Sequence, residues 1–95
     1  MGQQVVEEGQ YLAVFNSTHR VLKAEGLLKA QGLAIMLIPA PRAVQADCGL
    51  AIRFDENLRE PVMQFLADQS LLPAFLCQLR GAEYIILQEF NHENH

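Results

Sequence analysis

Strand-like and helix-like segments in the order β-α-β-β-α-β, with one added strand, predict an α+β domain. Three observations carry that expectation. The apolar runs are only four to seven residues long, the two helical stretches fall between them, and turn or cap residues stand at most boundaries (Asn16-Ser17, Gly32, Pro39, Gly81). The specific expectation is a ferredoxin-like βαββαβ sandwich: an antiparallel sheet, two helices on one face and an extra C-terminal strand. Its sheet order is expected as 4-1-3-2, with the first and third strands central and parallel.

Residues 11–15, Tyr-Leu-Ala-Val-Phe, form the first strand, stopped by Asn16-Ser17. A helix over 18–31 follows, with Val21, Ala24 and Leu28 at helical spacing and Leu27 flanking them. Ser17 or Thr18 caps its start and Gly32 suits its end. Gly26 costs this helix about 1 kcal/mol relative to Ala, and its missing side chain is expected to let the helix approach the sheet closely. Residues 33–38 are apolar throughout and make the second strand, ended by Pro39. In 50–54, Leu50, Ile52 and Phe54 alternate with Ala51 and Arg53, a strand with one strongly buried face. The second helix, near 58–69, carries Leu58, Val62, Phe65 and Leu66 on one face. Asn57 with Glu60 forms a capping box for it, or Pro61 takes the first helical position.

The C-terminal third is more ambiguous. Residues 71–79 fit a helix, but Phe75, Cys77 and Leu79 also alternate with Leu76, Gln78 and Arg80, and the strand reading is preferred. Gly81-Ala82 then turns into a last strand, 83–89. That strand holds Tyr84, Ile85, Ile86 and Leu87, more apolar surface than a fully exposed strand carries, so it either caps its own sheet or makes a dimer contact. The organisation is an N-terminal extension (1–9), a single domain (10–90) and a polar tail (91–95). Either Leu12 or Val14, together with Val21, Leu28, Ile35, Leu50, Ile52, Val62 and Phe65, is expected in the core.

Composition narrows the function. The chain has 95 residues, 51% hydrophobic and 19% charged, enough for one modest core. Seven Lys and Arg against eleven Asp and Glu give a net charge of −4, which argues against nucleic acid or an anionic membrane as partner. The first residues have no signal-peptide pattern, and Val6 spoils the myristoylation motif that Gly2 begins. Pro39 and Arg42 interrupt the longest apolar stretch. A cytoplasmic location is expected, in which the Asn16-Ser17-Thr18 sequon stays unused and Cys48 and Cys77 stay thiols.

The most informative stretch joins the second and third strands. Ten residues, Pro39 to Cys48, replace the usual two to five of a hairpin loop. Prolines 39 and 41 stiffen it, residues 42–46 fit one helical turn, and Cys48-Gly49 leads into the next strand. Such a loop can present a reactive thiol, with Gly49 leaving room beside the sulfur; a buried, inert cysteine is the plain alternative. Arg42 and Arg53 favour a thiolate and Asp47 opposes it.

The pattern Phe15-Asn16-Ser17-Thr18-His19, then Ala24-Glu25, Ile38-Pro39-Ala40-Pro41-Arg42 and Cys48-Gly49-Leu50-Ala51-Ile52-Arg53-Phe54 resembles the sulfur/selenium carrier-like proteins. These form a small bacterial domain family associated with sulfur or selenium metabolism. The resemblance covers about 10–70, and its most specific part is Pro41-Arg42 followed by Cys48-Gly49. It implies that Cys48 is the carrier thiol, that Arg42, Gly49 and Pro41 shape its site, and that a cysteine desulfurase or a selenium-metabolism protein is the partner. Gln45 stands where the family pattern expects a small hydroxyl residue.

Other candidates weigh less. With parallel first and third strands, His19 falls about 15–20 Å from Cys48, too far for a catalytic pair. Cys77, two strands from the third, is beyond disulfide reach and reads as a core or sheet-face residue. His92, Glu93 and His95 are a weak metal motif in a polar tail. No glycine-rich phosphate loop or catalytic carboxylate pair occurs, and no cofactor or metal is called for. The expected function is a carrier holding a persulfide, or its selenium equivalent, on Cys48. The alternative is a ferredoxin-like interaction or regulatory module that dimerises through a sheet edge. Either is more in keeping with the sequence than a turnover enzyme.

Overall fold

A computed structural model describes residues 5–44 and 46–90. Its elements are β1 (Tyr11–Val14), α1 (Thr18–Ala30), β2 (Ile35–Pro39), β3 (Leu50–Phe54), a 3₁₀ turn (Glu56–Leu58), α2 (Arg59–Asp68), β4 (Phe75–Arg80) and β5 (Glu83–Glu89). The fold is α+β, with five antiparallel strands and two helices.

Local chemistry explains the boundaries. The Ser17 hydroxyl accepts a hydrogen bond from the Arg20 amide at 3.2 Å and caps α1. At the other end Gly32, at φ +79°, lets its own amide reach Lys29 O and the Leu33 amide reach Leu28 O. Both bonds belong to a left-handed helix stop that a glycine adopts freely. Helix α2 stops in the same way, with Ser70 at φ +58° and the Leu71 amide bonded to Leu66 O. Its start differs from both expectations. Neither Asp55 nor Leu58 makes a side-chain cap, the 3₁₀ turn leads straight into the helix, and Pro61 is its third residue. The absent Pro61 amide costs nothing there, because the first turn has no intrahelical acceptors for its amides.

The strand order is β2-β3-β1-β4-β5, so the first four strands, read from the far edge, run β4-β1-β3-β2. The expected parallel pairing of β1 and β3 is corrected: they are antiparallel, with Tyr11 opposite Phe54 and Val14 opposite Ala51. The connectivity explains why. Crossing over through α1, the chain enters β2 in the direction of β1, and the hairpin then reverses it. Lying between β2 and β1, β3 therefore opposes both. It begins at the end of the sheet where β1 finishes.

Both sheet faces are covered, by different means. On one face Ala13, Phe15, Ile52, Phe54 and Leu76 pack against Val21, Ala24 and Leu28 of α1 and Val62 and Leu66 of α2. On the other, Leu12, Val14, Ile38, Ala51, Cys77 and Leu79 are covered by Val6 and Val44. Among the described residues no helix lies there. Leu12 and Val14 are thus both buried, on the face away from the helices, and Ala51 is as buried as Ile52. Leu50 and Phe65, expected in the core, are half-buried at its margin.

Backbone and side-chain bonds fix the N-terminal segment. The Gly9 amide reaches Leu79 O, and Arg53 donates to Val5 O. Buried Gln78 donates to Gly9 O and to Glu56 Oε2 and accepts from Arg80 Nε, so its amide is satisfied. One expectation fails outright. Gly26 is exposed, and a Cβ there would meet nothing within 4 Å, so it does not mediate a close approach of α1 to the sheet.

Candidate functional site

The loop between β2 and β3 is built from two turns. The Ala40 amide bonds Gly49 O at 2.9 Å, which closes the ladder across the loop's base. Beyond it, the Val44 amide reaches Pro41 O at 2.9 Å and the Gly49 amide reaches Ala46 O at 3.1 Å. Two separate turns therefore replace the single helical turn expected over 42–46. Val44 closes the first turn and is buried on the helix-free face of the sheet, so an apolar anchor holds the loop down. Gln45 lies outside the described residues.

The second turn presents Cys48. Asp47 and Cys48 are its central residues and Gly49, at φ +75°, closes it in a conformation that side-chain-bearing residues adopt at a cost. A Cβ on Gly49 would meet nothing within 4 Å beyond its chain neighbours. The thiol is half-buried. Its sulfur lies 3.1 Å from Phe15 O and 3.3 Å from Leu50 O. A thiol has a single proton and donates to one of these carbonyls at a time. Both partners are backbone atoms, one leaving β1 and one opening β3. The antiparallel pairing of those strands brings them together.

The same correction changes the place of His19. β3 starts where β1 ends, so the first turn of α1 and Cys48 share one end of the sheet, and the expected separation of a strand length does not hold. His19 is exposed and makes no hydrogen bond to Cys48. Among the described residues Arg42 is likewise exposed and forms no hydrogen bond or ion pair, and Pro41 contributes its carbonyl to the first turn.

Cys77 has the opposite surroundings. It lies in β4 opposite Ile86, fully buried, and burial pushes its thiol up from 9.0 to about 11. Both cysteines are free. Cys77 is at the floor of an open groove of about 300 Å³ lined also by Ala43, Val44, Phe75, Tyr84 and Ile86. Among the described residues no cluster of His, Cys, Asp or Glu could hold a metal, and His92, Glu93 and His95 lie outside them.

Sequence reasoning missed the two carbonyls that hold the Cys48 thiol, since backbone acceptors have no residue signature. It also missed Val44, which did leave a trace: it is the one branched apolar residue in a loop otherwise made of Pro, Ala and polar groups.

Residues 10–78 match the model of a family described as "Putative Se/S carrier protein-like". The chain belongs to this family. The matched span includes the whole 39–49 loop and ends within β4, leaving β5 outside. No curated protein and no solved structure matches the chain. In this carrier-like protein no helix among the described residues is long and apolar enough to cross a membrane.

Proposed function

We propose that this ferredoxin-like domain is a sulfur or selenium carrier whose acceptor atom is Cys48 Sγ. One observation carries the reading: the family's loop holds a part-buried cysteine whose thiol meets two backbone carbonyls, next to a glycine whose own Cβ position is open. Such a thiol has a defined resting position on a turn at the edge of the core. To load, its side chain turns away from Phe15 O and Leu50 O. The thiolate then attacks the outer sulfur of a donor persulfide, forming a new sulfur–sulfur bond as the donor's bond breaks. The donor leaves as its thiolate and Cys48 keeps the outer sulfur with its proton. A nucleophilic acceptor later takes that sulfur by the same substitution and returns Cys48 to its thiolate. A selenium atom follows the same route.

Pro41 and Val44 hold the loop in place, Gly49 closes the second turn, and Arg42, the loop's only cation, stands in solvent where it can meet an anionic donor or partner. No second reactive group needs to sit beside the sulfur, which suits a carrier that docks to its donor and acceptor.

Incubation with a cysteine desulfurase and cysteine, followed by intact-mass measurement, tests the reading. The wild-type chain is expected to gain one sulfur. Cys48→Ala abolishes the gain, Cys77→Ala leaves it nearly unchanged, and Arg42→Ala slows it. Equal labelling of the two cysteine variants, or none in the wild type, overturns the proposal.

A further inference from the structure

The two open edges of the sheet differ. β2 is five residues long and ends in Pro39, which has no amide to offer a neighbouring strand. At seven residues β5 is the longest described strand, with neither proline nor lysine, and among the described residues no strand pairs with its outer side. It is also apolar on both faces. Tyr84 and Ile86 lie opposite Leu79 and Cys77 on the helix-free face, whereas Ile85 lies opposite Gln78 on the helix face. Ile85 is 36% exposed and Ile86 51%. An edge strand normally carries charge where a neighbour could add, and β5 keeps its acids at its ends, Glu83 and Glu89.

We propose that β5 pairs antiparallel with β5 of a second copy, about a two-fold axis through Ile85, to give one continuous sheet. A two-fold axis perpendicular to a sheet sets each residue against one on the same face, so it passes through a residue and not between two. Four registers place the axis within 84–87, and the backbone and side chains discriminate among them. An axis through Leu87 or Ile86 draws the irregular step of β5 at Leu87, between the Cys77–Ile86 and Leu76–Gln88 pairs, into the junction, where same-face pairing fails. One through Tyr84 sets Ile85 against Glu83. Through Ile85, the isoleucines of the two copies meet on the axis and Tyr84 meets Ile86 of the second copy, all within the regular 83–86 stretch. The Tyr84–Ile86 pairs then extend the groove formed by Val44, Phe75 and Cys77 across the junction. β5 is three strands from β3, roughly 14 Å at the usual spacing, so the junction leaves the Cys48 turn accessible.

Sedimentation of the full chain over micromolar to sub-millimolar concentrations, with disulfide trapping, tests this. The wild type is expected to reach twice its 10.6 kDa. Ile85→Lys puts two like charges on the axis and should weaken the dimer by roughly tenfold or more, with circular dichroism confirming the fold. In a Cys48→Ser background, Ile85→Cys should link two copies under copper–phenanthroline and air, oxygen taking the electrons, because only an axial residue faces its own counterpart. Glu83→Cys and Glu89→Cys should not link. A wild-type monomer throughout, a dimer indifferent to Ile85→Lys, or linking at Glu83 or Glu89 as ready as at Ile85 overturns the proposal.

Discussion

The two cysteines show how one side chain takes opposite chemistry from its position. Cys77 sits mid-strand in β4, where the flanking ladders keep the backbone fixed and Val44 helps cover the face it points from. Burial there raises the cost of a sulfur anion. Cys48 sits on a turn beyond the ladder, part-buried, with its thiol bonded to backbone carbonyls. Burial type differs too. The helix side of the sheet is closed by two regular elements, while the side holding Cys77 is closed by an N-terminal segment and a loop. Irregular cover of this kind leaves a groove.

The largest expected consequence is in reaction rate. Raising the Cys77 thiol from 9.0 to about 11 lowers its thiolate fraction about a hundredfold at pH 8, and Cys77 is also covered, so a thiol reagent should modify native Cys48 far faster. Peptide mapping after brief alkylation measures this; comparable rates would dissolve the contrast between the two sites.

Next comes the alkaline dependence of stability. The Cys77 thiol is raised in the folded chain, so the folded state holds its proton at pH values where the unfolded chain has lost it. Its contribution is full below pH 9.0 and is lost progressively as pH rises towards about 11, about 2–3 kcal/mol in total. Urea unfolding at pH 8 and pH 10.5 should show a larger loss for the wild type than for Cys77→Ala. Tyr84, raised by burial and then by charge on Cys77, shifts in the same direction, so the Cys77→Ala comparison reads the cysteine together with its effect on Tyr84.

The smallest effect links the two regions. Val44 anchors the Cys48 loop and also walls the groove over Cys77. Val44→Ala should cost about 1–2 kcal/mol and speed alkylation of Cys77 by admitting reagent to the groove. If unfolding is unchanged and Cys77 is no more reactive, the loop does not guard that face.

Much of the fold was legible in local chemistry. Ser17 and Gly32 bracket α1 because a hydroxyl can accept from a free amide and a glycine can turn left-handed; neither property depends on distant residues. The Gly81-Ala82 hairpin was readable from its glycine, even though Ala82, at φ +72°, is an unusual second residue for it. The start of α2 was not, because the 3₁₀ turn satisfies amides that a cap residue would otherwise serve. Gly26 misled for a related reason: a glycine's cost is intrinsic, but whether anything packs against it is decided by the other elements.

By itself the sequence determined the elements, the thiol on a long proline-bounded loop and the family resemblance, since these rest on periodicity, turn chemistry and motif within short spans. Only the tertiary structure decided the direction of β3 against β1, because strand pairing depends on which edges meet after the α1 crossover. That one direction sets Cys48 against Phe15 O, brings the start of α1 to the same end of the sheet, and leaves Cys77 buried two strands away from β3. Contacts between residues 33 positions apart, such as Cys48 with Phe15, have no local signal, and the site is made of them.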